Sequence, residues 1–147
     1  MVKLYDLMIT NDKKKLASEL KDLLEVVSVY FEKHSSKICP KCKTVCCMVK
    51  HGYYDKDDRM FLSALGIDAP SFDPNKNATD PCVFLKENGC SLPRWKRPFH
   101  CTWFFCEPLH GSMLDGSRNS YKVFISSYKK LILIRQQQLQ LFSGQDC

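Results

Sequence analysis

The sequence predicts a mainly α fold: two long terminal helices packed together, with a Cys-rich irregular middle organised around one or two metal centres. Three observations predict it. Apolar residues recur at helical spacing near both ends of the chain. The stretch between them is rich in proline and poor in aliphatic residues, and eight of the nine cysteines stand in two groups within it. With 147 residues the chain suits one compact domain, spanning 1–147, and is too short for a TIM barrel or for a dinucleotide fold with an added substrate domain.

The N-terminal helix is expected over 12–34. Leu16, Leu20, Leu23, Leu24, Val27, Tyr30 and Phe31 form one stripe, opposed by Lys13, Lys14, Glu19, Lys21, Asp22 and Glu25. Asn11 or Asp12 supplies its cap, and Lys13–Lys15 reads as a solvated helix start. A shorter helix is expected over 57–65, capped by Asp57 or Asp58 and ended by Gly66. The C-terminal helix is expected over 121–142, where Phe124, Tyr128, Leu131, Ile132, Arg135, Leu139 and Phe142 share a face and Gly144 suits a stop. Val123–Ile125 is compatible with a strand, but Gln136–Gln138 and the length of the segment favour helix.

Between Asp68 and Ser120 lie six of the seven prolines, and the aliphatic residues are sparse: Val83, Leu85, Leu92, Leu109 and Leu114. A loop of this length in a small domain needs a fastening other than an apolar core. On this reading a bound metal replaces that core, and removing it costs structure.

The start of the chain is interrupted by Asp6 and followed by Asn11, Asp12 and three lysines, so it lacks the apolar stretch of a secretion signal. Apolar runs such as Leu131–Ile134 fall far short of a membrane span. A cytoplasmic location without membrane attachment is therefore expected, where thiols stay reduced unless they bind something. Nine is also an odd number for a closed set of disulfides.

The first cysteine group is Cys39-Pro40-Lys41-Cys42, followed by Cys46 and Cys47. A pair spaced by two residues with a turn-forming proline brings two sulfurs to the spacing of tetrahedral ligands. Adjacent Cys46 and Cys47 diverge, which suits service to two sites. The second group is Cys82, Cys90, Cys101 and Cys106. Eight thiols favour zinc, an iron–sulfur cluster or Cu(I) over magnesium or calcium. The 22 Lys+Arg against 16 Asp+Glu give a formal charge of +6. Two thiolate sites of about −2 each would partly neutralise it, so the basic excess needs no nucleic acid. His100 and His110 are further candidate ligands, His34 and His51 read as surface or helix-end residues, and Cys147 has no local partner.

These residues resemble the CxxCxxCC family of zinc- or iron-chelating proteins. The pattern lies in Cys39, Cys42 and Cys46–Cys47, then Cys82-Val83-Phe84-Leu85, Gly89-Cys90 and Arg97-Pro98-Phe99-His100-Cys101. Three residues rather than two separate Cys42 from Cys46, and Thr102 stands where arginine commonly follows the cysteine. The resemblance covers roughly 39–106 and implies a metal-binding role for Cys39, Cys42, Cys46, Cys47, Cys82, Cys90, Cys101 and Cys106. Some members are associated with flagellin lysine N-methylation, so it admits a metal-dependent enzyme acting on a protein, with a small electron-transfer protein as another alternative.

Arg97-Pro98 is expected to shape the turn before Cys101, with the guanidinium binding carbonyls or offsetting thiolate charge. Arg94-Trp95-Lys96-Arg97, with Trp103, Phe104 and Phe105, has the mixture of charge and rings that stacks on single strands, but covering a metal site is the preferred role. The expected partner is a protein or small molecule rather than nucleic acid. No phosphate loop, dinucleotide fingerprint, H-E-x-x-H or G-x-S-x-G motif occurs, so any catalysis would fall to the metal.

Overall fold

In a computed structural model of the chain, residues 11–38, 53–70, 82–87, 89–103 and 107–143 are described. Helix α1 spans Asn11–Ile38, about one turn beyond the expected end. His34 explains the extension: it was expected at the surface, yet it is 6% exposed and its ring faces later helices. Lys37 in the last turn suits the negative end of the helix dipole.

Helix α2 spans Lys56–Ala64, with Asp55 as its cap rather than Asp57 or Asp58. Asp55 accepts the Asp58 N–H at 2.8 Å, and Asp58 accepts the Asp55 N–H at 3.1 Å, a reciprocal capping box. The helix stops where expected. Gly66 has φ +76°, and Ile67 N–H closes back onto the Leu62 carbonyl at 2.9 Å.

Strands β1 (Leu85–Lys86) and β2 (Gly89–Cys90) form a minimal antiparallel hairpin with Leu85 opposite Cys90. A 3-10 turn over Arg94–Lys96 and the one-turn helix α3 (His100–Trp103) follow. Helix α4 then covers Glu107–Asp115, a segment expected to be irregular. Pro108 and Gly111 hid it: both disfavour helix interiors, but proline is tolerated in the first turn. Helix α5 spans Arg118–Ser143, so Val123–Ile125 is helical and not a strand.

The chain is thus mainly helical with long helices towards both ends. Lys13 Nζ lies 5.5 Å from the centre of the Phe142 ring, while Tyr30 and Phe31 meet Phe124 at 4.5 and 5.2 Å between ring centres. The start of α1 therefore lies beside the end of α5, and the two helices run antiparallel. Between them sit Ala17, Leu20, Leu24, Val27, Phe31, Phe124 and Leu131, with Phe61 and Leu62 of α2 joining the same cluster. Lys13, expected to be solvated, is 2% exposed. Of the three described cysteines, Cys82 and Cys90 are half-buried and Cys101 is exposed, so none belongs to this core.

Leu20 and Leu131 are each 0% exposed at the meeting of α1 and α5. Replacing either with alanine is expected to cost about 2–5 kcal/mol in urea unfolding. Val29→Ala on the outer face of α1, where the side chain is 76% exposed, should stay within about 0.5 kcal/mol.

Candidate metal centre

The cysteine-bearing segment from 82 to 103 is fastened by polar bonds to α1 and to the start of α2. Its first cysteine sits in a turn, where the Cys82 carbonyl accepts the Leu85 N–H at 3.0 Å. The Phe84 carbonyl accepts the Ser91 N–H at 2.7 Å, which closes the hairpin that carries Cys90. Gly89 has φ +106°, a conformation that a side chain disfavours. Further on, the Cys101 and Thr102 N–H groups donate to the Pro98 and Phe99 carbonyls at 3.0 and 2.9 Å, so the turn after Arg97 starts α3. Thr102 is 1% exposed.

Tyr54, just before α2, is 1% exposed, and its hydroxyl donates to the Lys96 carbonyl at 2.6 Å. The Phe84 ring stands edge-on to it, 6.5 Å between centres. Burial pushes the Tyr54 phenol far above its ordinary range, and the negative forms of Cys101, Cys90, Asp58 and Cys82 add to that rise. The hydroxyl stays protonated and remains a donor. The three described cysteines stand in a turn, a strand and a short helix.

Asp58 holds the same segment from a second point. Its Oδ1 accepts the Phe99 N–H at 3.0 Å and lies 3.9 Å from Arg135 Nη2 of α5. Burial pushes this carboxyl up, against the lowering effect of the Phe99 and Asp55 N–H groups and of Arg135. Arg135 also stacks over the Phe99 ring at 4.5 Å and donates to Gln138 Oε1 at 3.1 Å.

The third fastening is ionic. Arg94, 5% exposed at its side chain, donates through Nη2 to Glu32 Oε1 at 2.9 Å and through Nη1 to the Cys101 carbonyl at 3.3 Å. Its guanidinium lies over Phe31 at 4.3 Å. Arg97 donates to the same Glu32 oxygen at 3.2 Å and through Nε to the Leu92 carbonyl at 2.9 Å. Two guanidiniums thus meet one carboxylate, leaving a positive surplus next to Cys101. Burial alone would raise the Glu32 pKa, but Arg94 and Arg97 outweigh it and hold the carboxyl below its usual value.

The other sequence candidates divide clearly. Cys39, Cys42, Cys46, Cys47, Cys106, His51, Phe104, Phe105 and Cys147 lie outside the described residues. His110 is exposed, with Nε2 3.5 Å from the Tyr121 hydroxyl, and His100 is half-buried in α3. Trp95 packs against the apolar core, and Lys21 Nζ lies 4.9 Å from its ring centre. That ring and Arg97 are engaged within the fold rather than presented for stacking. Among the described residues no three His, Cys, Asp or Glu side chains are grouped closely enough to hold a metal ion. Nor is any helix there long and apolar enough to cross a membrane.

Tyr54, Asp58 and Glu32 were not anticipated from the sequence as parts of this region. Asp55-x-x-Asp58 carried a usable signal, because that spacing is a capping-box pattern. Tyr54 and Glu32 carried none, since their partners lie 42 and 62 residues away. No family model, curated protein or solved structure matches the chain.

Glu32 gives this region a pH dependence. Its folded pKa is lowered, so its contribution to stability is present above the unfolded carboxylate value and is lost as pH falls through the folded one. The side chain is 46% exposed, so water screens the pair. Glu32→Gln is expected to cost about 1 kcal/mol or less at pH 7, and the difference from the parent should vanish in acid. Urea midpoints measured across the carboxylate range check this.

Proposed function

We propose that this chain binds a metal through clustered cysteine thiolates, holding zinc or an iron–sulfur cluster, as its resemblance to the CxxCxxCC family implies. The observation that carries the reading is that Cys82, Cys90 and Cys101 stand on one segment that Tyr54, Asp58, Arg94 and Arg97 fasten to the helices. Thiolates are the ligands a soft metal prefers, and a fastened segment limits where they can go. The described thiols alone do not complete a ligand set. On this reading Cys39, Cys42, Cys46, Cys47 and Cys106 supply the rest.

The surrounding charges support the same reading. Among the described residues Arg94 and Arg97 share one carboxylate, and their surplus lies next to Cys101, where thiolate charge would be offset. Tyr54 and Asp58 orient the loop by binding its backbone at Lys96 and Phe99. Such outer partners fix the direction of ligands without touching the metal. When bound, the metal would cross-link the loop or, as a cluster, carry an electron.

The test is elemental analysis with an absorption spectrum on protein purified without oxygen. About one or two zinc per chain, or iron with sulfide and a band near 400 nm, is the expected result. Cys90→Ser and Cys101→Ser should each lower the metal content while α1 and α5 keep their helical signal. Metal-free protein whose cysteines all titrate as accessible thiols would overturn the proposal. Because the apolar core includes no described cysteine, a chelator is expected to raise amide exchange in residues 82–103 well before that of α1 and α5.

A further inference from the structure

The end of α1, the end of α4 and the start of α5 enclose an open cleft of about 640 Å3. Its lining includes Lys33, Lys37 and His34 of α1, Ser112 and Asp115 of α4, and Ser117, which precedes α5. Lys33 and Lys37 are exposed, so their ammonium groups are free to move over the opening.

His34 forms a buried polar point in this cleft. It is 6% exposed, its Nδ1 lies 2.9 Å from Ser112 Oγ, and its ring contacts Tyr30 at 4.7 Å between centres. When Ser112 donates to Nδ1, the neutral imidazole carries its hydrogen on Nε2. That nitrogen makes no hydrogen bond among the described residues, although the ring lines the cleft. Gly116 stands close by: a Cβ there would lie 3.4 Å from His34 Cε1. Burial, then the charges of Lys33 and Lys37, hold the His34 pKa below its ordinary value.

We propose that this cleft binds a small phosphomonoester, with Lys33, Lys37 and the His34 Nε2–H receiving the phosphate and Tyr30, Pro108 and Ile38 flanking the organic part. The chemistry favours phosphate. Two exposed ammonium groups, with an imidazole N–H when Ser112 donates to Nδ1, suit a dianion, and Asp115 is the one acid among the described lining residues. The space is larger than phosphate needs and falls in the range of small-molecule sites. Ser117 already accepts the Ser120 N–H at 3.4 Å, so the side chains of α1, not the start of α5, provide the recognition.

The test follows the His34 ring signals by NMR while inorganic phosphate, and then phenyl phosphate, is added to the full chain at constant ionic strength. Saturable shifts are expected, with an upward displacement of the His34 titration and about tenfold tighter binding of phenyl phosphate. Lys33→Gln with Lys37→Gln should weaken binding at least tenfold, whereas Lys14→Gln with Lys15→Gln should not. Both pairs are exposed, so folding is preserved. Equal shifts with chloride, no preference for phenyl phosphate, or unchanged binding in the Lys33/Lys37 double variant would each overturn the proposal.

Discussion

The carboxylate of Asp58 ties together the start of α2, the cysteine-bearing segment and α5. One oxygen closes the start of α2 against the Asp55 N–H, and the other accepts the Phe99 N–H from the cysteine-bearing segment. Arg135 of α5 stands 3.9 Å away and covers the Phe99 ring. A buried carboxylate is costly unless its lone pairs are used, and here backbone donors from two segments use them. The same burial explains why its pKa rises despite a guanidinium nearby. Position and charge are therefore coupled: the group that fixes Phe99 also sets where Pro98 turns the chain towards Cys101.

Arginine chemistry extends this arrangement to the opposite side. Arg94 is nearly enclosed, with Phe31 beneath it, and its Nε makes no hydrogen bond among the described residues. Burying a guanidinium with an unused donor is unfavourable, and one half-exposed glutamate shared with Arg97 offsets it only in part. Further negative charge near Cys101 would relieve that imbalance. The apolar core does not need the pair, since Phe31 also packs edge-on against Phe124.

The two long helices were legible because their apolar residues repeat at 3.6-residue spacing over many turns, a local property of the sequence. Their ends were less so. Burial of His34 against Ser112 and of Lys13 near Phe142 depends on residues far along the chain, and a polar residue beside a stripe gives no sign of such burial. Helix α4 was hidden by Pro108 and Gly111, whose intrinsic cost is outweighed by burying Leu109 and Met113. Within the candidate site the turn at Pro98 and the carbonyl-binding guanidinium of Arg97 were legible, since both follow from the local sequence. The site's supports were not, because Tyr54, Asp58 and Glu32 act only through tertiary contacts.

The placement of the thiols alters what a metal would do here. Composition alone suggested that metal takes the place of an apolar core. Instead α1, α2 and α5 bury Leu20, Leu24, Phe31, Leu62, Phe124 and Leu131 among themselves, and Cys82, Cys90 and Cys101 lie at the margin of that cluster. Burial of this kind stabilises the helices whether or not the thiols are ligated. The segment that would gain from ligation is the one joined to the helices by Tyr54, Asp58 and Glu32 through backbone bonds and ion pairs. Hydrogen bonds of that sort contribute about 1 kcal/mol each, and Phe84, Trp95 and Phe99 add packing against the core. A thiolate cross-link would add to these fastenings of the segment, and its chemistry could vary with little consequence for the helical frame.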